Sequence, residues 1–454
     1  MWESAELEAF LKRERHDDRA TFLPEARMIW YPVKRADVGG DLRLAYKLDV
    51  YARKPMSRQD VVVDAITGEV LASLERIHHL DEPGAAQTAY SGNRPITTYR
   101  PNTPADFELR DMSRGGGIFT YDCFNTADYD IAQVPTQSTN TWDFGDAVSN
   151  TILDAHWGTE MTYDFYLGHD WDSFDNSGSA LLSYTHFSLV DFGYPNNNNA
   201  FWDGERMTYG DGDGIEFNPL SALDVVGHEI THGVTEHSAG LEYFSESGAL
   251  NESFSDIFGS CVEHFARPED FSWLLGGDMN LNGEAFRDMS DPNAFACPDT
   301  YYGDFWDDVF EEVHTNSGVQ NFWFYLLCEG GTGVNDNGDA YAVQGIGMED
   351  AAAIAFRNLS VYLGMNSDYA EARTYSIQAA LDLFGACSDQ VISVTNAWHA
   401  VGVGGIFSDG VIAQFLPSTY YVCSLPAQVQ FTDMSVNTSG YEWAFGDGGV
   451  SSEA

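Results

Sequence analysis

The stretch Gly227-His228-Glu229-Ile230-Thr231-His232 constrains this chain more than any other. On an α-helix, imidazoles four residues apart stand one above the other, so both can reach a single ion at about 2.0–2.1 Å. The flanking sequence calls for that helix. Apolar positions take up a helical period from Ser221, and Ser221-x-x-Asp224 reads as a capping box with Asp in place of the usual Glu. Glu229 follows the first imidazole and is angled toward a hydrolytic water without having to bind the ion. By itself the five-residue pattern is only moderately specific, because a helix with two surface histidines reads the same way.

A hydrolytic zinc ion takes three protein ligands and keeps one position open. A His-x-x-Gly-x-x-His continuation needs Gly at 235 and His at 238, where the chain has Thr235 and Ser238. A carboxylate is the alternative. Glu252 stands at the start of a second helical stretch, Asn251-Glu252-Ser253-Phe254-Ser255-Asp256, with Asp256 one turn further on the same face. A ligand carboxylate backed by another carboxylate fits an ion's ligand plus a partner for an imidazole's remaining N–H.

The runs Val226–His232, Glu246–Gly259, Arg287–Pro292 and Val313–Gly318, in this order over about residues 90–405, resemble thermolysin-like zinc metalloendopeptidases of the neutral protease family. The resemblance implies an α+β fold: a two-lobed catalytic unit with a β-rich N-terminal lobe, an α-helical C-terminal lobe and the active-site helix between them. It makes His228, His232 and Glu252 the zinc ligands and Glu229 the general base. Asn251 and Asp256 would orient the histidines, and His314 with Tyr243 would hydrogen-bond the oxyanion. Asn199 and Ala200 would bind the peptide backbone, and Arg287 a substrate carbonyl beside an apolar pocket that includes Val225 and Phe286. Plainer readings exist for single residues: His314 as a satisfied polar histidine, Tyr243 as a rim aromatic, Arg287 as the partner of a carboxylate.

The chain departs from the family in two places. An Asp five residues before the oxyanion histidine, followed by Asn-Gly-Gly, is usual. Here Val309 holds that offset, Asp308 lies one earlier, and Glu311-Glu312 stand where glycines are expected. Asp308 is the expected partner of His314 through a one-residue insertion. The resemblance also implies a paired calcium site, whose ligands match Asp224, Glu263 and Asp270. Gly277 falls where another glutamate is expected, so one calcium ion is expected there rather than two.

Charge sets further bounds. The formal net charge is -48, and it is uneven: residues 1–86 hold 13 Lys+Arg against 16 Asp+Glu, the remainder 9 against 54, with no lysine after Lys54. Nucleic acid and anionic membranes would repel such a chain. A solvated surface suited to saline water accounts for most of the acidic residues, and calcium for a minority. No run of about 18 apolar residues and no basic-then-apolar leader is visible, so the N-terminus reads as truncated. Six cysteines without a C-x-x-C pair disfavour a cysteine zinc site. Their pairing is open.

Along the chain, Leu42, Leu44, Tyr46, Leu48 and Val50 alternate as one face of a strand, followed by a hairpin through Val61–Val70. The stretch from Asp60 to Leu71 resembles a PepSY module, which makes residues 1–86 the end of a propeptide, an inhibitor and chaperone cleaved near the Pro/Gly joint Asp81–Ala86. Residues 87–245 read as the β-rich catalytic lobe with the zinc helix. It includes a helix from Asp146 to Tyr166 with Ala147, Ile152, Ala155 and Met161 inward, and a turn at Asp211–Gly214. Residues 246–407 read as a helical lobe, with helices over 248–265, 318–329, 348–363, 369–384 and 388–401. Residues 408–454 resemble part of a PKD-type β-sandwich.

The function expected is a secreted, monomeric zinc endopeptidase, made as a zymogen, that cleaves protein or peptide substrates before apolar residues. A catalytically dead adhesion or matrix-binding protein is one alternative, opposed by the retained Glu229. A zinc aminopeptidase is another.

Overall fold

A computed structural model describes residues 9, 12–13, 19–24, 26–32, 42–52, 57–75, 81–101, 106–408, 415–417, 428–433, 442–444 and 449–451. The chain divides into two compact units, residues 1–234 and 235–454. In the first, β1 (Arg27–Pro32), β2 (Leu42–Ala52), β3 (Ser57–Asp64) and β4 (Val70–Glu75) form an antiparallel meander. At the turn into β4, Asp64 Oδ1 accepts the Ile66 and Thr67 N–H groups and Gly68 takes φ 74°. The alternating apolar residues of β2 do share a face, yet Leu42 and Tyr46 are exposed while Ala45 and Val62 are buried. Alternation fixes which residues share a face, not which face is covered.

Further along, β5 (Asp81–Gln87), β6 (Asn93–Tyr99), β7 (Phe107–Glu108), β8 (Arg110–Asp111), β9 (Ile118–Thr126), β10 (Thr136–Gln137), β11 (Thr141–Trp142), β12 (Leu181–Phe187), β13 (Ala200–Trp202) and β14 (Met207–Gly210) build two five-stranded sheets. Their strand orders are β10-β7-β6-β5-β11 and β13-β14-β12-β9-β8. The expected joint at Asp81–Ala86 is thus a strand, paired from Asp81↔Tyr99 to Gln87↔Asn93. Its glycine answers a close approach rather than a turn, since a Cβ on Gly84 would meet Asn140 Oδ1 at 2.5 Å.

Helix α1 (Ala147–Leu167) starts where Asp146 accepts the Ser149 N–H. It is buried from Asn150 to Glu160, including polar residues, although Ala147, expected inside, is exposed. Those polar groups tie the helix to neighbouring backbone: Asp154 accepts the Ala89 and Tyr90 N–H groups, and Glu160 that of Thr97. His156 lies between Thr97 O and Thr120 Oγ1. Buried polar groups satisfied in this way avoid the desolvation cost that would otherwise forbid them.

In the second unit, α3 (Ser245–Ala266) is buried all round from Ser247 to Glu263, whereas Phe265 near its end is 52% exposed. On it pack α4 (Gly318–Glu329), α5 (Met348–Arg357) and α6 (Tyr369–Phe384), while α7 (Asp389–Ala400) packs on α4 and α6. The helix expected over 348–363 turns π-helical at Asn358–Tyr362. Stacked Trp323 and Trp398, 4.8 Å apart, join α4 to α7. The buried thiols of Cys123, Cys261, Cys297 and Cys328 are free, and Cys423 lies outside the described residues. Beyond residue 408, Phe415–Pro417 pairs with Phe431–Asp433 and Trp443–Ala444 with Val450–Ser451. Residues 409–414, 418–427, 434–441, 445–448 and 452–454, most of the stretch expected to be PKD-like, lie outside the described residues. Among the described residues no helix is long and apolar enough to cross a membrane.

Candidate functional site

Helix α2 (Leu223–Glu236) carries the opening motif, and α1 holds it in place. A Cβ on Gly158 of α1 would meet Val226 at 3.1 Å, so this glycine lets the two helices approach closely. Tyr166 and Thr231 hydroxyls bond at 2.6 Å, and Ser221 donates to Thr151 O at 2.9 Å. The second bond corrects the capping-box reading. The helix begins at Leu223, which leaves Ser221 outside it with its hydroxyl committed to α1. Val226, Ile230 and Val234 bury the opposite side, leaving His228 and His232 partly exposed.

Nε2 of His228 lies 3.0 Å from Nε2 of His232, with the rings nearly perpendicular at 82°. Two imidazoles aiming the same nitrogen at one point is the disposition of ligands to a shared cation. His228, His232 and Glu252 each offer one ligand atom, and these atoms lie within 4.8 Å of one another. Two neutral nitrogens and a carboxylate suit zinc in charge and softness. Glu229, also on α2, is buried.

Within the second unit, further groups from separate segments lie together. Tyr243 precedes α3, and its hydroxyl donates to Glu252 Oε1. The same hydroxyl lies 3.1 Å from His314 Nε2, itself 3.5 Å from Glu252 Oε1. A Cβ on Gly248 would collide with Val313 at 2.5 Å, so glycine there admits the His314 segment. On its other side, His314 Nδ1 contacts Glu312 Oε1 at 2.8 Å, while Glu312 Oε2 accepts the Thr315 N–H. Partial burial opposes ionisation of Glu312, but the bonds from His314 and Thr315 outweigh it and lower its pKa.

Glu312 therefore replaces the expected Asp308 as the carboxylate on His314. The backbone explains the change: Asp307 accepts the Val309, Phe310 and Glu312 N–H groups, and Glu311 is held at φ 51°, which brings Glu312 round to the imidazole. The signal was present in the sequence as an acid two residues before a histidine at the start of a helical turn.

Arg287 clamps Asp256 through two bonds of 2.6 and 2.7 Å, with Glu252 Oε2 3.9 Å away. Asn321 also donates to Asp256 at 2.8 Å. Burial alone would lower the Arg287 pKa; Asp256 and Glu252 raise it instead. Asn251 donates to Leu241 O at 3.0 Å. In the first unit Ala200 begins β13, the edge strand of its sheet, and Asn199 O accepts the Gly210 N–H.

Two helical imidazoles and a glutamate from the following helix fit the donor set of a zinc peptidase of the two-histidine, one-glutamate class. Comparison narrows this further. The family profile "Thermolysin metallopeptidase, catalytic domain" matches residues 83–236, and "Thermolysin metallopeptidase, alpha-helical domain" matches residues 239–403. "Thermostable neutral protease NprT" of Geobacillus stearothermophilus is 36% identical over 403 residues, covering 83% of this chain and 68% of that protein. "Thermolysin" of Alicyclobacillus acidocaldarius subsp. acidocaldarius is 37% identical, covering 83% and 69%. A solved structure, "Precursor of Protealysin, Metalloproteinase from Serratia proteamaculans", matches with a TM-score of 0.50 at 31% identity, over 63% of this chain and 87% of that one. The chain belongs to the thermolysin metallopeptidase family, with its β-rich N-terminal and helical C-terminal parts, and is a zinc metalloendopeptidase.

Proposed function

We propose that this chain is a secreted, monomeric endopeptidase, made as a zymogen, that cleaves protein or peptide substrates before apolar residues. The observation that carries the reading is the grouping of His228, His232 and Glu252 within ligand distance of one ion, with Glu229 on the same helix as the two histidines. Zinc held by these three residues would supply Lewis-acid activation of a water and of the scissile carbonyl. Glu229 takes the proton from the attacking water and returns it to the leaving amine. Tyr243 and His314 donate hydrogen bonds to the developing oxyanion. Glu312 holds the His314 ring by Nδ1, so that Nε2 faces Tyr243 and Glu252.

A substrate strand adds to the open edge of β13 beside Asn199 and Ala200, with main-chain bonds fixing its register. Asn251 and Asp256 orient the ligand histidines, and Arg287, anchored by Asp256, turns its remaining donors to a substrate carbonyl. The residues before β5 act as inhibitor and chaperone, a shorter segment than 1–86 because Asp81–Gln87 pairs with β6; a precursor among the similar structures supports this. Residues 408–454 form part of a PKD-like accessory domain.

Casein and N-terminally blocked peptides are the test. Hydrolysis abolished by chelator and restored by zinc is expected, with cuts before apolar residues. Strict need for a free amino terminus would convert the reading to an aminopeptidase, and zinc-loaded protein without any hydrolysis would leave an adhesion role.

A further inference from the structure

The calcium ion expected at Asp224, Glu263 and Asp270 meets a different occupant. Arg267, which ends α3, folds its side chain back so that Nη2 donates to Glu263 Oε1, one turn earlier, and to Asp278 Oδ2. Arg267 and Glu263 are both buried, at 5% exposure each, and Asp278 closes the pair from the short 3-10 turn Gly277–Met279. Of the other expected ligands, Asp224 is buried and its Oδ1 accepts the Val225 N–H. Asp270 is exposed and its N–H donates to Arg267 O, while Gly277, beside Asp278, brings no side-chain oxygen.

Calcium takes six to eight oxygens at about 2.3–2.6 Å. An ion that close to Glu263 would sit against a guanidinium already bound to the same carboxylate, with like charges a few ångströms apart in a buried place. The Glu263 side chain therefore does not fit calcium. A fixed cation does fit: the helix C-terminus favours positive charge, and Arg267 lies four residues after Glu263, the spacing of a helical ion pair.

We propose that Arg267 is a covalently attached replacement for a structural cation, joining the end of α3 to the Gly277–Met279 turn and making this corner independent of calcium. An ion in exchange with solvent gives stability that depends on its concentration. A guanidinium on the chain does not.

The test is the rise in thermal midpoint of the full, zinc-loaded chain on adding millimolar calcium, measured by circular dichroism for wild type, E263Q, D278N and R267A. The expected result is one and the same calcium-induced rise, zero included, in wild type, E263Q and D278N, because any calcium effect comes from elsewhere. R267A should lose roughly 5–10 °C without calcium and recover part of it with calcium, as the vacated carboxylates accept the ion. A calcium-induced rise in wild type that E263Q or D278N abolishes would overturn the proposal, as would a folded R267A as stable as wild type without calcium. If R267A does not fold, the comparison of wild type with E263Q and D278N decides alone.

Discussion

In the first unit the two imidazoles and Glu229 come from a single helix within five residues, whereas in the second Tyr243, Glu252, Arg287 and His314 come from four separate segments. Helical geometry places His228 beside His232 by itself, and α1 only has to hold the helix still. The second set depends on long-range accommodation: Gly248 admits the His314 segment, Glu311 bends at φ 51°, and Asp256 and Arg287 lock to one another. Local placement should therefore be robust to changes in the surrounding chain, and assembled placement sensitive to them.

The largest effects should fall on the local set. H228A or H232A should remove both bound zinc and hydrolysis, read by metal analysis beside casein cleavage. E229Q should keep zinc and lower kcat by about 10²–10⁴; zinc loss in that variant would mean that Glu229 serves the metal instead. On the assembled side, Y243F and H314A should each lower kcat by roughly 10²–10³ with little change in KM. A change confined to KM would move these residues from the oxyanion to ground-state binding.

Smaller effects test how the assembled set is aimed. E312Q should lower kcat on the order of tenfold, as outer partners of site residues do, with partial recovery in E312D. D308N should be silent, and the reverse order would reinstate Asp308. The smallest effect belongs to the first unit. His156 Nε2 donates to Thr97 O and Nδ1 accepts from Thr120, and burial keeps its pKa below the ordinary histidine value. The unfolded chain then binds the proton first. Stability is present above pH of about 6.5 and is lost as pH falls toward the folded value. Thermal midpoints between pH 7 and 4 should fall less steeply in H156Q than in wild type.

Much of the fold was legible where one face or one period carries the information. Bounds at 318–329 and 369–384 agree with the sequence because the amphipathic period runs up to Gly330 and Gly385, and Asp368 caps the start of the second helix. The α1 helix was placed, but its buried Asp154, His156 and Glu160 were not foreseen as interior, since only their backbone partners in other segments make such burial tolerable. The strand at Asp81–Gln87 read as a joint because Pro83 and Gly84 are turn residues by composition. Pairing with β6 and the close Asn140 made them a strand.

Helical spacing alone sets the local geometry of His228, Glu229 and His232. The Glu263 and Arg267 pair was equally legible at four residues, and a calcium expectation hid it. Packing brings Glu312 rather than Asp308 to His314, sets Arg287 on Asp256, and completes the Arg267 pair with Asp278. These contacts join residues whose separation along the chain sets no distance between them, so packing and turn geometry had to choose the partner.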